Sequence, residues 1–162
     1  MIFVTVGTGE QRFDRLFRAV DRLSADHEIV VQHGLSEVRP ARALCFDFMP
    51  FADLVAYMTK ADAVVTHAGV GSVLTALSVN KKPYVVPRRR RFGEAVDDHQ
   101  VELARRLDGA DLVTLVDDPV DLRRLLASGA AEAHSLPLPD EDTPLTRELR
   151  AYLAACCELE PA

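Results

Sequence analysis

The stretch THAGVGSVLTAL, residues 66–77, decides the fold. It follows a short β-branched run at 63–65, typical of a buried parallel strand, and its apolar residues from Val73 to Leu77 recur at helical spacing. The segment therefore predicts a strand, a glycine turn and a helix. Such a turn directs the first free N–H groups of the helix, and the positive end of its dipole, at whatever lies above the strand. This arrangement is typical of an anion site, most often a phosphate site.

Strands and helices alternate along the rest of the chain. Apolar runs predict further strands at 2–6, 29–32, 44–48, 84–86 and 112–116, and helical spacing predicts helices at 11–24, 51–60, 98–107 and 120–127. This order indicates a single Rossmann-like α/β domain over residues 1–134, with a mostly parallel sheet covered on both faces. A linker rich in proline and acidic residues is predicted at 135–144, and a closing helix within 145–162.

Composition excludes several classes of protein. The 162 residues, 48% hydrophobic and 27% charged, are typical of one soluble globular domain, and the net charge of −6 argues against nucleic acid as the main ligand. Cys45, Cys156 and Cys157 are odd in number and lack CxxC spacing, so no disulfide framework or zinc site is expected. The chain enters an apolar strand without a basic leader, and His67 and the glycines interrupt the uncharged run 63–80. We therefore expect neither a signal peptide nor a membrane span, and a cytoplasmic location.

Two turns are rich in glycine: Gly7-Thr8-Gly9 after the first strand, and the turn from His67 to Ser72. Neither completes a dinucleotide fingerprint, no GxxxxGK[ST] occurs, and Ser72 is not in a GxSxG elbow. NAD, P-loop ATP and serine hydrolase chemistry are therefore disfavoured. Taken alone, the glycines are as consistent with tight packing of helix on strand as with phosphate binding, and a lone histidine is more often a structural, hydrogen-bonded residue.

The segment 66–77 is followed by PYVVP (83–87) and DDHQ (97–100). This order resembles the nucleotide-sugar-binding half of two-domain inverting glycosyltransferases, the C-terminal domain of glycosyltransferase family 28. The resemblance covers about residues 1–107 and includes VTVGT (4–8) and FDRL (13–16). Pro87-Arg88 and FGE (92–94) are similar to the small, donor-binding catalytic subunit of bipartite bacterial exopolysaccharide and capsule glycosyltransferases (PssE-like). Its eukaryotic counterpart is the catalytic subunit of the two-part transferase that adds the second GlcNAc to a dolichol-linked sugar.

The resemblance implies a domain equivalent to the C-terminal half of a GT-B glycosyltransferase. It implies a UDP-sugar-dependent hexosyltransferase without a metal or cofactor, in which His67 offers the donor diphosphate an N–H or a positive charge. The implied diphosphate contacts are Gly7, Thr8, Gly9, His67, Gly69, Gly71 and Ser72. The implied contacts to the donor sugar are Asp98, His99 and Gln100.

Two departures from the family pattern bear on the site. Relatives have a glutamate that would hold the ribose where this chain has Thr75; Glu94 or Glu10 could substitute, although each is otherwise expected to be a solvated loop acid. A complete enzyme also has an acceptor-binding domain that supplies the general base. We therefore expect a membrane-associated partner that carries the acceptor site and general base, a lipid-linked saccharide acceptor, and a peripheral position at the inner face of the membrane.

Alternatives remain. Thr75 keeps open a non-catalytic nucleotide-sugar-binding or regulatory subunit, whereas the short length weighs against a UDP-sugar epimerase. Asp140-Glu141-Asp142 has the letters of a metal-binding DxD motif but lies in the linker, so an acidic solvated loop is favoured. The run Arg88–Arg91 is either a solvated loop or a contact to an anionic membrane. An apolar stripe in the closing helix either packs on its own domain or contacts the partner; it comprises Leu145, Leu149, Tyr152, Leu153 and Cys156.

Overall fold

The computed structural model describes residues 1–128. The strands in this part are β1 (Ile2–Thr5), β2 (Ile29–Gln32), β3 (Ala43–Phe46), β4 (Ala63–Thr66), β5 (Tyr84–Val85) and β6 (Thr114–Leu115). The helices are α1 (Asp14–Leu23), α2 (Phe51–Lys60), α3 (Val70–Ser78), α4 (His99–Gly109) and α5 (Leu122–Ala127), with short 3-10 turns at Arg90–Phe92 and Pro119–Asp121. A helix follows each strand except β2, which an irregular segment at 33–42 joins to β3.

The strands form one sheet in the order β3-β2-β1-β4-β5-β6, and every pairing within residues 1–128 is parallel. This confirms the predicted single α/β domain with its parallel sheet. The chain builds outward from β1 in one direction and then returns to add β4 on the other side of β1. The order therefore reverses between β1 and β4, which is the point where open sheets of this kind bind ligands.

The core lies on both faces of the sheet because alternate residues of each strand point in opposite directions. Ile2 and Val4 of β1 are buried in one cluster with Leu16 and Phe17 of α1. Phe3 is buried on the opposite face in a cluster that includes Met58 of α2. The buried strands read as continuous apolar runs, as parallel strands covered on both sides do.

Some boundaries differ from the sequence-based prediction for identifiable reasons. Helix α1 begins at Asp14 rather than at residue 11, because the carbonyl oxygens of Gln11 and Arg12 accept hydrogen bonds from the side chain of Arg88. Helix α5 begins two residues later than expected, after a 3-10 turn that Asp118 caps by accepting from the backbone N–H of Val120.

The predicted linker at 135–144, with Asp140–Asp142, and the predicted helix at 145–162, with Cys156 and Cys157, lie outside the described residues. Within 1–128 no helix is long and apolar enough to cross a membrane.

Candidate functional site

The two glycine turns meet at the carboxyl ends of β1 and β4. Thr5 and Thr66 are paired across these strands, so the residues that follow each of them lie side by side. The backbone of Gly7 has a left-handed φ of +66°, and a Cβ built there would lie 2.8 Å from His67 Cε1 and 3.6 Å from Ser72 Oγ. The structure thus brings Gly7, His67 and Ser72 together, although they come from two loops about sixty residues apart.

Both glycine turns leave room for the His67 ring. A Cβ at Gly69 would lie 2.1 Å from His67 Nε2, which no side chain could accommodate without moving the ring. At Gly71, by contrast, a Cβ would meet nothing within 4 Å. Packing therefore accounts for Gly7 and Gly69, the alternative that the sequence left open, and it does not account for Gly71.

His67 is neutral at neutral pH. Its burial lowers the imidazole pKa to about 4, and the positive charge of Arg88 lowers it in the same direction. The ring Nδ1 lies 3.5 Å from Thr66 Oγ1, at the limit of a hydrogen bond. Without a bound anion, the imidazole therefore offers an N–H rather than a positive charge.

Helix α3 begins at Val70, and its N-cap residue Gly69 provides no side-chain hydrogen bond. The first backbone bond into this helix runs from Val73 N to Gly69 O at 3.0 Å. The N–H groups of Gly71 and Ser72 precede that bond and point out of the helix end, where they can bind an anion. Thr8 and Gly9, which follow Gly7 in the first turn, are exposed.

The residues expected to hold the donor sugar surround the start of α4. Asp98 and His99 are exposed; Asp98 Oδ1 accepts from the backbone N–H of Arg90 at 3.0 Å, and His99 is paired with Asp97. Gln100 is buried, and its Oε1 accepts from the backbone N–H of Arg88 at 3.2 Å. Their contacts to a sugar stay a prediction, and Gln100 also serves the structure of the loop.

Of the three candidates for the ribose contact, Thr75 and Glu94 have side chains that are already hydrogen-bonded within the protein. The hydroxyl of Thr75 donates to Gly71 O within α3, at 2.7 Å. Glu94 is 4% exposed, and both of its carboxylate oxygens lie 2.9 Å from the guanidinium of Arg15, while Oε2 also accepts from the backbone N–H of Arg89. The expectation that Glu94 is a solvated loop acid is therefore wrong. Glu10 is exposed, in agreement with that expectation.

The run Arg88–Arg91 does not form one exposed patch. Arg88 is 3% exposed, and its side chain points into the protein. The Arg89 side chain is largely buried and pairs with Asp117 at 2.6 Å. Only Arg90 and Arg91 of the run are exposed. The expected four-arginine surface is therefore reduced to two residues.

Two buried ionic features of this end of the sheet were not predicted from the sequence. One is the guanidinium of Arg88, and the other is the pair of Arg15 with Glu94, in which Arg15 also donates to Pro87 O at 3.1 Å. Their signal in the sequence is weak, because charged residues in a loop are typical of a solvated surface. Within residues 1–128 no group of three or more His, Cys, Asp or Glu side chains could hold a metal ion.

A family model described as the glycosyltransferase family 28 C-terminal domain matches residues 1–141. Two curated relatives are UDP-N-acetylglucosamine transferase subunits ALG13. The protein from Yarrowia lipolytica is 44% identical over 55 residues, which is 34% of this chain and 26% of that relative. The protein from Cryptococcus neoformans is 43% identical over 72 residues, 41% of this chain and 33% of the relative. The matched stretches are thus a third or less of the curated relatives.

Solved glycosyltransferases share the fold. The calicheamicin glycosyltransferase CalG4 matches with a TM-score of 0.64 at 19% identity, and the match covers 96% of this chain and 43% of CalG4. The glycotransferase of kitacinnamycin matches with a TM-score of 0.61 at 21% identity, over 98% of this chain and 43% of that protein. The glycosyltransferase SnogD from Streptomyces nogalater matches with a TM-score of 0.59 at 26% identity, over 96% of this chain and 43% of SnogD. The fold of the chain is thus equivalent to part of a larger glycosyltransferase.

Proposed function

This chain belongs to the glycosyltransferase family 28 C-terminal domain family, and on that premise we propose that it is the donor-binding, catalytic subunit of a two-part, inverting glycosyltransferase. The donor is a UDP-sugar, and transfer requires a membrane-associated partner that supplies the acceptor site and the general base. The observation that carries this proposal is the position of His67 between two glycine turns, beside the uncapped start of α3.

Donor activation follows from this arrangement. When the glycosidic bond breaks, negative charge grows on the diphosphate, so donors aimed at it stabilise the transition state more than the ground state. The free N–H groups of Gly71 and Ser72 and the N–H of neutral His67 supply such donors. No metal ion or cofactor is then needed. If EDTA abolished transfer by the assembled enzyme, and only Mn²⁺ or Mg²⁺ restored it, metal independence would be wrong.

The identity of donor and acceptor is proposed from similarity. The matched relatives are named as UDP-N-acetylglucosamine transferase subunits, which favours UDP-GlcNAc as the first donor to test. The resemblance of residues 87–100 to exopolysaccharide and capsule enzymes favours a lipid-linked saccharide acceptor. Such an acceptor would place the complex in the cytoplasm, peripheral at the inner face of the membrane.

Calorimetric titration with UDP, UDP-GlcNAc, UDP-glucose and GDP-mannose tests donor binding. His67→Ala should weaken the binding of UDP and of the UDP-sugar, because a hydrogen bond to a charged phosphate contributes about 1.5–3 kcal/mol. Gln100→Ala should spare UDP and weaken only the sugar-bearing form, by about 1 kcal/mol. If both variants bound the donor like the parent chain, the proposed site would be wrong.

A donor-binding subunit without catalytic function is the second candidate. Relatives have a glutamate that would hold the ribose at the position of Thr75. The hydroxyl of Thr75 instead donates a hydrogen bond to Gly71 O in its own helix. The discriminating measurement is sugar transfer to a lipid-linked acceptor by the chain and the product of the adjacent gene together. Binding of the donor without transfer by that complex would favour the second candidate.

The proposed partner contact lies in residues 145–162. Deleting this segment should abolish co-purification with the partner and sugar transfer while UDP binding is retained. Loss of folding by the same deletion would instead show that the segment packs on its own domain.

Contact with an anionic membrane is proposed for Arg90 and Arg91 alone, each contributing about 1 kcal/mol near such a surface. In co-sedimentation of the assembled enzyme with phosphatidylserine vesicles, Arg90→Glu with Arg91→Glu should reduce binding. The equally exposed pair Arg105→Glu with Arg106→Glu on α4 is the matched control. If vesicle binding did not change with salt concentration or with the double substitution at Arg90 and Arg91, this contact would be excluded.

A further inference from the structure

Arg88 is a buried cation that the proposed donor chemistry does not use. Its side chain is 3% exposed and its guanidinium lies 4.8 Å from the ring centre of Phe13. Burial lowers its pKa, an effect that the nearby Glu94 opposes, and a guanidinium remains charged in any case. A buried charge is costly unless hydrogen bonds satisfy it, so its partners should indicate why it is there.

The hydrogen bonds of the guanidinium go to main-chain carbonyl oxygens. Nη2 donates to Val6 O at 3.3 Å, and Nη1 donates to Gln11 O at 2.7 Å and to Arg12 O at 3.3 Å. Val6 directly precedes the turn Gly7–Glu10, and Gln11 directly follows it. A single side chain from the segment that follows β5 therefore contacts both ends of the first glycine turn.

Arg88 also joins this turn to the loop before α4. Nη1 lies 3.3 Å from Glu94 O, and the backbone N–H of Arg88 donates to Gln100 Oε1 at 3.2 Å. The two ends of the proposed donor site, the diphosphate turn and the sugar-binding start of α4, thus meet at one residue. A planar fork of five N–H donors can serve several carbonyls at once, whereas a lysine ammonium cannot reproduce that geometry.

We propose that Arg88 is a positioning residue that fixes the turn Gly7–Glu10 relative to the start of α4 in the proposed donor site, without contacting the donor. This inference rests on the proposed function for its ligand. Its structural part, that Arg88 holds the turn in place, does not require a ligand and can be tested separately. The neighbouring charge of Arg88 also helps to keep His67 neutral.

The experiment compares Arg88→Lys and Arg88→Met with the matched controls Arg91→Lys and Arg91→Met in the full chain. Arg91 is exposed, and its guanidinium lies against Phe92, 4.6 Å from the ring centre. Amide hydrogen exchange by NMR without nucleotide should be about tenfold faster or more at Gly7 and Phe13 in both Arg88 variants, because these amides flank the turn and donate to Thr5 Oγ1 and Ser36 Oγ, so local opening sets their exchange rate. Neither Arg91 variant should change it.

UDP-GlcNAc titration gives the functional readout. Both Arg88 variants should bind UDP-GlcNAc at least about tenfold more weakly. Lysine keeps the positive charge but lacks the planar set of guanidinium N–H donors, and methionine has neither. The His67 pKa, followed by NMR, should rise in Arg88→Met and stay low in Arg88→Lys, which separates the effect of charge from that of geometry. If Arg88→Met does not fold, Arg88→Lys carries the test.

Two results would overturn the proposal: exchange at the Gly7 and Phe13 amides in Arg88→Lys that equals the parent rate, or parent-like UDP-GlcNAc affinity in that variant. A parent chain that binds neither UDP nor UDP-GlcNAc would instead overturn the proposed function and the donor part of this inference. The exchange rates would still decide whether Arg88 holds the turn.

Discussion

At the amino end of the sheet, left-handed backbone positions are occupied by Asn80 and Asp111, whereas at the carboxyl end they are occupied by Gly7, Gly34 and Gly93. Asn80 and Asp111 end helices in short loops, where a small polar side chain tolerates this conformation. At Gly7 a side chain is excluded for a second reason, because it would occupy the space of the His67 ring. At the amino end the left-handed positions therefore only need a residue that tolerates this backbone conformation. Gly7 must in addition leave space for the His67 ring.

The two ends of the sheet also differ in their polar contacts and in their exposed apolar side chains. The amino end is closed by local polar contacts, such as that of Lys81 Nζ with Ala61 O at 2.6 Å and the pair of Lys82 with Asp111. Among residues 1–128, most large apolar side chains that are exposed lie in segments that follow the carboxyl ends of strands: Leu35, Phe48, Phe51, Val70, Phe92, Val96 and Val120. This distribution favours the carboxyl end as the binding end, where the proposed donor site lies.

The largest expected difference between the two ends is the response to Gly→Ala. Gly7→Ala should cost about 2–5 kcal/mol of folding free energy, because the left-handed φ is strained and the methyl group displaces His67. UDP binding should be lost with it. Gly109→Ala, in the last turn of α4, should be neutral or slightly stabilising, since its methyl group meets nothing within 4 Å. Urea unfolding measures both.

Equal stability of the two alanine variants would show that the packing of Gly7 against His67 is not required. In that case UDP titration of Gly7→Ala would show whether the turn binds the nucleotide at all.

How much of this the sequence could predict depends on the distance along the chain over which each contact acts. Helix α2 and strand β2 have the predicted bounds, because their apolar spacing and their ends are local signals. The contact between Gly7 and His67 also follows from the sequence, once β1 and β4 are placed next to each other where the strand order reverses. Their binding of a diphosphate stays a prediction.

The interpretation of the arginines and of Glu94 could not be made from sequence. Arg88 is buried because carbonyl groups 76 to 82 residues earlier in the chain accept its hydrogen bonds, and Glu94 is buried because Arg15, 79 residues earlier, pairs with it. Local composition, RRRR followed by FGE, predicts a solvated loop instead. The predicted start of α1 is wrong for the same reason, since the same carbonyl groups lie just before the helix.

The second difference between the ends is the pH range in which each affects stability. The pKa of His67 is about 4 in the folded protein, against the ordinary histidine value of 6.5, so between these values the unfolded chain binds more protons. His67 should therefore stabilise the fold fully above pH 6.5 and lose this effect as pH falls toward 4, by at most about 3 kcal/mol. The measurement is urea unfolding from pH 4 to 7 for the parent and His67→Gln.

An acid at the amino end provides the control. The hydrogen bond from the N-terminal ammonium, and then its charge, lower the pKa of the Asp62 carboxyl below 3.8. The stabilising effect of Asp62 is therefore present above that value and is lost only at lower pH. Asp62→Asn should leave the slope between pH 4 and 6.5 intact, whereas His67→Gln should flatten it. A slope that persists in His67→Gln would show that another group causes it.

The smallest expected effect separates ligand binding from packing at the carboxyl end itself. Gly71 lies in the first turn of α3, and a Cβ there would meet nothing within 4 Å, as at Gly109. Gly71→Ala should therefore leave stability unchanged or raise it by about 0.5 kcal/mol, as a better helix former does. The added methyl group would nevertheless stand beside the N–H groups proposed to bind the diphosphate, so UDP affinity should fall about tenfold, or 1.4 kcal/mol. Gly109→Ala should show the same stability and unchanged affinity. If Gly71→Ala also bound UDP like the parent, the start of α3 would not be the diphosphate site, because nothing in the protein itself requires glycine at this position.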